Sequence, residues 1–304
     1  MSNGNQSIQE VKWTDDAIRW QGGLHGDKLS NLQNIEEDSS SGDDNQCLVD
    51  PFADPDPTEL QTFQFVVPSS IHCSEGASSS TSDEKDKNKQ TQTHIEVSIQ
   101  GYKSEADAVW KSTGLTLWKA SHYLCEYQVE NPQLFTGNVL ELGAGLGLNG
   151  ILAWKIMCLF AKSAENSVCI TDGDTDALIH LRKNIQRNQM NESSNNEPEI
   201  TCHQLLWGAI TSQTFLSQIA QNKKYDTIIA SDIIYAPSIV APLWETVHTL
   251  LEKDGVFVMA FARRKVPVSI EMVLESAKGR GFGYELVKED REEGIWVYLF
   301  RFEA

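Results

Sequence analysis

Apolar and polar residues alternate in two segments within the first third of the chain. Segments 61–67 and 94–100 follow a period of two, which is typical of half-exposed β-strands. We interpret 59–105 as a β-hairpin whose connection is extended by a low-complexity insert at 69–92, because that insert is rich in Ser, Asp and Lys.

Continuous apolar runs alternate with segments of helical length from residue 106 onward. The predicted strands are 138–142, 168–172, 200–205, 226–231 and 256–261. The predicted helices are 118–130, 147–161, 174–189, 212–220, 238–252 and 268–280. A last pair of strands, 283–289 and 295–302, is predicted to form a closing hairpin.

Continuous apolar strands that are separated by helices predict a parallel sheet covered on both faces. The domain 106–304 is therefore predicted to be α/β, with a doubly wound, seven-stranded, Rossmann-like sheet. The closing hairpin predicts one antiparallel edge strand, and the N-terminal β-hairpin precedes the whole sheet.

Composition sets the first segment apart from the rest. Residues 1–58 are rich in Asp, Asn, Ser, Gly and Pro, so we expect them to be largely disordered, because they bury too little apolar surface to offset the entropy of ordering. The net charge is −18, of which residues 1–105 carry −12. Such an acidic chain lacks the basic surface of a nucleic-acid-binding protein, so we expect no nucleic-acid partner.

The six cysteines are scattered without a CxxC pair, which predicts reduced thiols and neither a disulfide framework nor a zinc site. The apolar stretch 139–161 contains Glu141, three glycines and Lys155, so we expect a buried helix there and no membrane span. The first residues lack the apolar core of a signal peptide. We expect a soluble monomer in the cytoplasm, with the nucleus as a second compartment, and neither a membrane partner nor a metal.

A strand, a glycine loop and a helix follow one another between 138 and 161. The strand contains Glu141, and Gly143, Gly145 and Gly147 then stand at alternate positions. This layout serves nucleotide-type cofactors at the carboxyl edge of parallel sheets, because glycine lets a ligand approach the backbone. The GxGxG pattern alone is a weak signal, since dehydrogenases carry the related GxGxxG.

Two further acidic residues end predicted strands. Asp172 can accept hydrogen bonds from ribose hydroxyls, while Asp174 suits the cap of the following helix; the alternative is that Asp172 also only caps. Asp232, with Tyr235 three residues later, can hold a cationic side chain between a carboxylate and an aromatic face. The alternative is a helix start with Pro237 in its first turn.

Taken together, these residues resemble the seven-β-strand S-adenosylmethionine-dependent methyltransferases, and within them methyltransferase family 16, the protein-lysine methyltransferase group. The resemblance covers about residues 60–302. It rests on Gly114-Leu-Thr-Leu-Trp118-Lys-Ala-Ser, Glu141-Leu-Gly-Ala-Gly-Leu-Gly, Thr171-Asp172, Leu206-Trp207-Gly208 and Asp232-Ile-Ile-Tyr235.

The resemblance implies S-adenosylmethionine as the cofactor, with the glycine loop bending around its methionine moiety and Glu141 lying beneath. The cofactor-binding residues that it implies are Trp118, Glu141, Gly143, Ala144, Gly145, Gly147, Asp172, Trp207 and Ser231.

The resemblance also implies a role for each of the remaining site residues. Asp172 binds the ribose, Trp207 lines the adenine pocket and Trp118 covers the methionine side of the cofactor. For both tryptophans the alternative is packing in the core. Asp232 and Tyr235 form the acceptor site and are the implied catalytic residues.

The resemblance implies methylation of a lysine on an intracellular protein. The segment 129–135 and the Tyr235-Ala-Pro stretch are most similar to the branch that modifies translation elongation factor 2. The alternatives are a methyltransferase acting on histidine, arginine or a small molecule, an NAD-dependent dehydrogenase, and a non-catalytic adaptor. Arg263 and Arg264 after the predicted strand 256–261 either contact an acidic part of the substrate or lie in a solvated loop.

Overall fold

The computed structural model describes residues 58–68, 93–102, 112–189 and 197–303. The prediction of disorder for 1–58 therefore lies outside the described residues except at Thr58, and the insert at 69–92 lies outside them entirely.

The described elements alternate as the sequence predicts from β3 onward. The strands are β1 (Thr58–Val67), β2 (Thr93–Tyr102), β3 (Asn138–Leu142), β4 (Ser167–Asp172), β5 (Glu199–Gln204), β6 (Tyr225–Ser231), β7 (Leu251–Ala262), β8 (Phe282–Asp290) and β9 (Ile295–Phe302). The helices are α1 (Lys119–Glu130), α2 (Leu148–Phe160), α3 (Thr175–Gln189), α4 (Ala209–Gln218), α5 (Val240–Leu250) and α6 (Ile270–Lys278).

Seven strands form one sheet in the order β5-β4-β3-β6-β7-β9-β8. The pairs from β5 to β7 are parallel, whereas β9 runs antiparallel to both β7 and β8. This confirms the doubly wound sheet and the single antiparallel strand, which lies between β7 and β8 at that end of the sheet. Strands β1 and β2 pair antiparallel as a separate hairpin, which is also confirmed.

Side chains of successive strand residues enter two different cores, one on each face of the sheet. In β3, Val139 belongs to the cluster that also contains the hairpin, α1, α2 and α3, whereas Leu140 belongs to the cluster with α5 and α6. Because both faces are covered, the strands read as continuous apolar runs.

The hairpin is attached to α3 by two side-chain amides that act as substitutes for a neighbouring strand. Asn184 accepts from the backbone N–H of Gln100 at 2.9 Å and donates to its carbonyl oxygen at 3.1 Å. Asn188 makes the same two bonds with Ser98, at 3.1 and 2.7 Å. Asn184 also donates to the carbonyl oxygen of Leu146 at 3.1 Å, so the hairpin is linked to the loop that follows β3.

The carboxyl ends of three neighbouring strands lie side by side. Leu142 at the end of β3 is paired with Thr171 of β4 on one side and with Ala230 of β6 on the other. The residues that follow these three positions therefore meet at one edge of the sheet, where ligands bind in folds of this kind.

Candidate functional site

A glycine loop joins β3 to α2 at this edge. Gly143, Gly145 and Gly147 have φ values of 62°, 55° and 86°, in the left-handed region that favours glycine. At Gly145 a side chain is also excluded by space, because a Cβ would lie 2.9 Å from the carbonyl oxygen of Gly114. The loop therefore presents bare backbone to a ligand.

Asp172 ties this loop to the end of β4. Its Oδ2 accepts from the backbone N–H of Gly145 at 2.8 Å, and its Oδ1 accepts from the backbone N–H of Asp174 at 2.9 Å. Burial raises the pKa of Asp172, and the N–H bonds oppose that rise. A carboxylate has about four lone-pair sites, so both oxygens can still accept from ligand hydroxyls. Asp174 accepts from the backbone N–H of Asp176 at 2.8 Å, which confirms it as the cap of α3.

Glu141 lies beneath the loop and is buried. Its Oε2 accepts from the backbone N–H of Gly150, in the first turn of α2, at 2.9 Å. Burial raises the pKa of Glu141 to about 8, the Gly150 bond opposes the rise, and the charge of Asp172 adds to it. Glu141 thus orients the start of α2, and its predicted place under a cofactor stays a prediction.

An apolar wall stands beside the loop on the β5 side. Trp207 is half-buried, unlike the core residues Trp154 and Trp244, and a Cβ at Gly143 would lie 3.2 Å from its Cζ2 atom. The neighbouring Leu206 is 57% exposed. The indole edge and an exposed leucine together form a surface that suits a planar, apolar group.

Trp118 lies immediately before α1 and is half-buried. Its Nε1 donates to the carbonyl oxygen of Thr113 at 2.8 Å, which fixes the ring. In the first turn of α1, the hydroxyl of Ser121 lies 2.7 Å from the hydroxyl of Ser231. This bond holds the start of α1 against the end of β6.

Asp232 follows β6 in a backbone conformation that is uncommon for a residue with a side chain, with φ of 58°. Its backbone N–H donates to the carbonyl oxygen of Ala260 at 2.9 Å. The side chain does not cap the following helix; its Oδ2 accepts from Nη2 of Arg264. Burial raises the pKa of Asp232, and the adjacent Arg264 guanidinium opposes that rise.

The Arg264 guanidinium that contacts Asp232 also lies over the ring of Trp118. The distance from its Cζ to the ring centroid is 4.0 Å. Tyr235 is 45% exposed. Burial raises the pKa of the Tyr235 phenol, and the charges of Asp172 and Asp174 add to the rise. The acceptor role of Tyr235 stays a prediction.

The sequence names Arg264 as a candidate but does not predict its contacts with Asp232 and Trp118. Its side chain lies between Asp232 and Trp118 and is 18% exposed, so the interpretation as a solvated loop is wrong for Arg264, and a contact with the substrate stays a prediction. The neighbouring Arg263 faces the ring of Trp296, with its Cζ 5.9 Å from the ring centroid. The sequence signal for Arg264 is its place just after β7. This strand pairs with β6, and β6 ends immediately before Asp232.

The predicted site residues thus converge at the ends of β4, β3 and β6. Within the described ranges, no group of three or more His, Cys, Asp or Glu side chains is arranged to hold a metal ion. Among the helices that the structure describes, none is long and apolar enough to cross a membrane.

Comparison with known proteins identifies the family to which the chain belongs. The family described as lysine methyltransferase matches residues 89–272. The human protein-lysine N-methyltransferase EEF2KMT is 32% identical over 148 residues, which cover 46% of this chain and 42% of that protein. The EEF1A lysine methyltransferase 3 of Xenopus tropicalis is 29% identical over 184 residues, which cover 60% and 72%. The chain spans less than half the length of the human relative that it matches.

Among solved structures, the magnesium protoporphyrin IX methyltransferase of Synechocystis with bound SAM aligns with a TM-score of 0.43 and 16% identity. The alignment covers 66% of this chain and 86% of that protein.

Proposed function

Because the chain belongs to the lysine methyltransferase family, we propose that it is an S-adenosylmethionine-dependent protein N-methyltransferase that acts on a lysine side chain. The observation that carries the proposal is the meeting of the glycine loop, Asp172 and Asp232 at the ends of three adjacent strands. A cofactor site and a site for a cationic acceptor are then neighbours at one edge of the sheet.

The residues at this edge have the chemistry that S-adenosylmethionine requires. Ribose hydroxyls need acceptors, and the Asp172 carboxylate supplies them at the tip of β4. An adenine ring needs an apolar wall, which Trp207 and the exposed Leu206 provide. Gly143 and Gly145 have positive φ values and no side chains, so the methionine moiety can approach the loop backbone closely.

When bound, the cofactor supplies an electrophilic methyl group on a positively charged sulfur. The protein's part in such a transfer is to hold the acceptor nitrogen in line with that group, since positioning supplies much of the rate. A lysine side chain has a pKa of about 10.4, so only about one amine in a thousand is neutral at pH 7.4. Asp232 favours the charged form, and we therefore assign it to orienting the amine, with deprotonation left to the cofactor's charge and to solvent.

The acceptor that we propose is a translation elongation factor. Two relatives support this class, because their names assign them to EEF2 and to EEF1A. We propose the cytoplasm as the compartment, because such an acceptor is made and used there.

The test is transfer of tritiated methyl groups from S-adenosylmethionine to purified EEF1A, to purified EEF2 and to whole cell lysate. We expect label on a lysine of one protein, and we expect Asp232→Asn to lower the rate of labelling by about 100-fold or more. A folded enzyme that binds the cofactor but labels no protein would exclude a protein acceptor. A folded chain that does not bind the cofactor would leave a non-catalytic adaptor.

A further inference from the structure

A cation of the chain itself lies where the acceptor amine is expected. The Arg264 guanidinium donates to Oδ2 of Asp232 and stacks on the ring of Trp118 at 4.0 Å. A carboxylate and an aromatic face are the two groups that bind an alkylammonium ion. The chain itself thus supplies the positive charge in a complete cation site, formed by the Asp232 carboxylate and the Trp118 ring.

This ion pair differs from the surface pairs of the same protein. The side chains of Arg264 and Asp232 are 18% and 4% exposed, whereas those of Arg291 and Glu289 are 82% and 35% exposed. Exposed pairs are screened by water and hold little structure. In the buried pair both charges are largely shielded from water. Removing one of them would leave the other buried without a partner.

We infer that an acceptor amine must displace Arg264 to reach Asp232, which makes Arg264 a specificity-determining residue of the proposed methyl transfer. The inference rests on the proposed function, because it assigns this site to an acceptor amine. Two cations cannot share the one buried carboxylate without strong repulsion, so the guanidinium and the amine compete. A simple amine therefore displaces the guanidinium only at high concentration, whereas an acceptor with further contacts to the protein does so at low concentration.

The positions of Asp232 and Arg264 in the fold agree with replacement of the guanidinium by an acceptor amine. Asp232 is fixed by its position at the end of β6 and by its backbone bond to Ala260. Arg264 lies in the irregular segment 263–269 between β7 and α6, where neither a helix nor a strand holds its backbone.

The test compares the wild type with Arg264→Gln, and Arg263→Gln is the matched control because its guanidinium faces Trp296. The probe is n-butylammonium chloride, which reproduces a lysine side chain. Binding is followed by NMR through the indole N–H signal of Trp118, which is assigned with Trp118→Phe. The titration is done without cofactor, so its result does not depend on whether the chain binds S-adenosylmethionine.

We expect Arg264→Gln to bind n-butylammonium at least tenfold more tightly than the wild type and Arg263→Gln. Methylguanidinium chloride should compete for the emptied site. Equal affinity in all three proteins, or no saturable binding by Arg264→Gln, would overturn the inference while leaving the proposed function intact.

A second measurement covers the case in which Arg264→Gln does not fold, since it leaves Asp232 buried without its partner. In the wild type, the Nε–H signal of Arg264 is followed during a titration with n-butylammonium to high concentration. Displacement predicts that this signal moves to the position of an exposed guanidinium with the same midpoint as the Trp118 signal. A Trp118 signal that shifts while that of Arg264 stays unchanged would contradict displacement.

Discussion

The buried carboxyl group of Glu141 makes the stability of the protein depend on pH, and Glu141→Gln isolates that dependence. The glutamine side chain has the same shape, and its carbonyl oxygen can accept the bond that Gly150 donates to Glu141 at 2.9 Å. The substitution therefore removes a titrating group and leaves the packing and the bond in place.

The size of the effect follows from the pKa of Glu141, which burial raises from 4.5 to about 8. Between these two values the unfolded chain has lost the proton and the folded chain still holds it. The folded state then binds more protons, so the free energy of unfolding falls as pH rises, by about 1.4 kcal/mol per pH unit. The stabilising contribution is complete below pH 4.5 and is lost once the pH passes about 8. Over the whole window the loss is about 5 kcal/mol.

The assay is urea unfolding of the wild type and Glu141→Gln at several pH values between 5 and 9. We expect the variant to gain stability relative to the wild type as pH rises, by about 1.4 kcal/mol per unit, with a plateau above pH 8. Glu165→Gln is the control, because it makes the same chemical change at an exposed position. A constant difference for Glu141→Gln across the same range would refute the reasoning from burial.

Three further substitutions test the site and its support. Asp232→Asn should lower turnover by about 100-fold or more while the dissociation constant of S-adenosylhomocysteine stays the same; an equal loss of cofactor affinity would contradict its acceptor role. Gly145→Ala should lower the free energy of unfolding by about 1–3 kcal/mol and weaken cofactor binding, because its φ is positive and its Cβ would approach Gly114. Asn184→Ala should cost about 2–3 kcal/mol in urea unfolding, because it leaves the backbone groups of Gln100 without their partners; a loss below about 0.5 kcal/mol would show that water replaces them.

The order of elements is predictable because each depends on a local pattern. The strand at 138–142 is confirmed with the same bounds, and the helix after the glycine loop differs by one residue at each end. The start of β7 was predicted at 256 but lies at Leu251, immediately after α5 ends. The polar residues 252–254 hide this part of the strand, and the pairing with β6 shifts register between Tyr225 and Thr227.

The family and the position of the site are predictable because both depend on short local motifs in the sequence. The match over residues 89–272 confirms the resemblance read from the glycine loop and the Asp-x-x-Tyr motif. Residues at the carboxyl ends of adjacent parallel strands must meet at one edge, and Asp172 and Asp232 do so.

The occupant of the acceptor site could not be predicted. The contact between Arg264 and Asp232 joins residues from two separate loops, and the contact with Trp118 joins a third segment. Such contacts depend on loop conformation and on charge burial, neither of which leaves a periodic pattern in the sequence. The same holds for the hydroxyl pair of Ser121 and Ser231.

Calorimetric titration with S-adenosylhomocysteine tests the central claim most directly. The titration compares the wild type, Asp172→Ala and the control Asp174→Ser, which removes the adjacent charge and keeps a capping hydroxyl. The account predicts binding by the wild type and the control, and a loss of about tenfold or more in Asp172→Ala, because the ribose hydroxyls then lack their acceptor. A folded wild type that does not bind, or an Asp172→Ala variant that binds as tightly as the control, would contradict it.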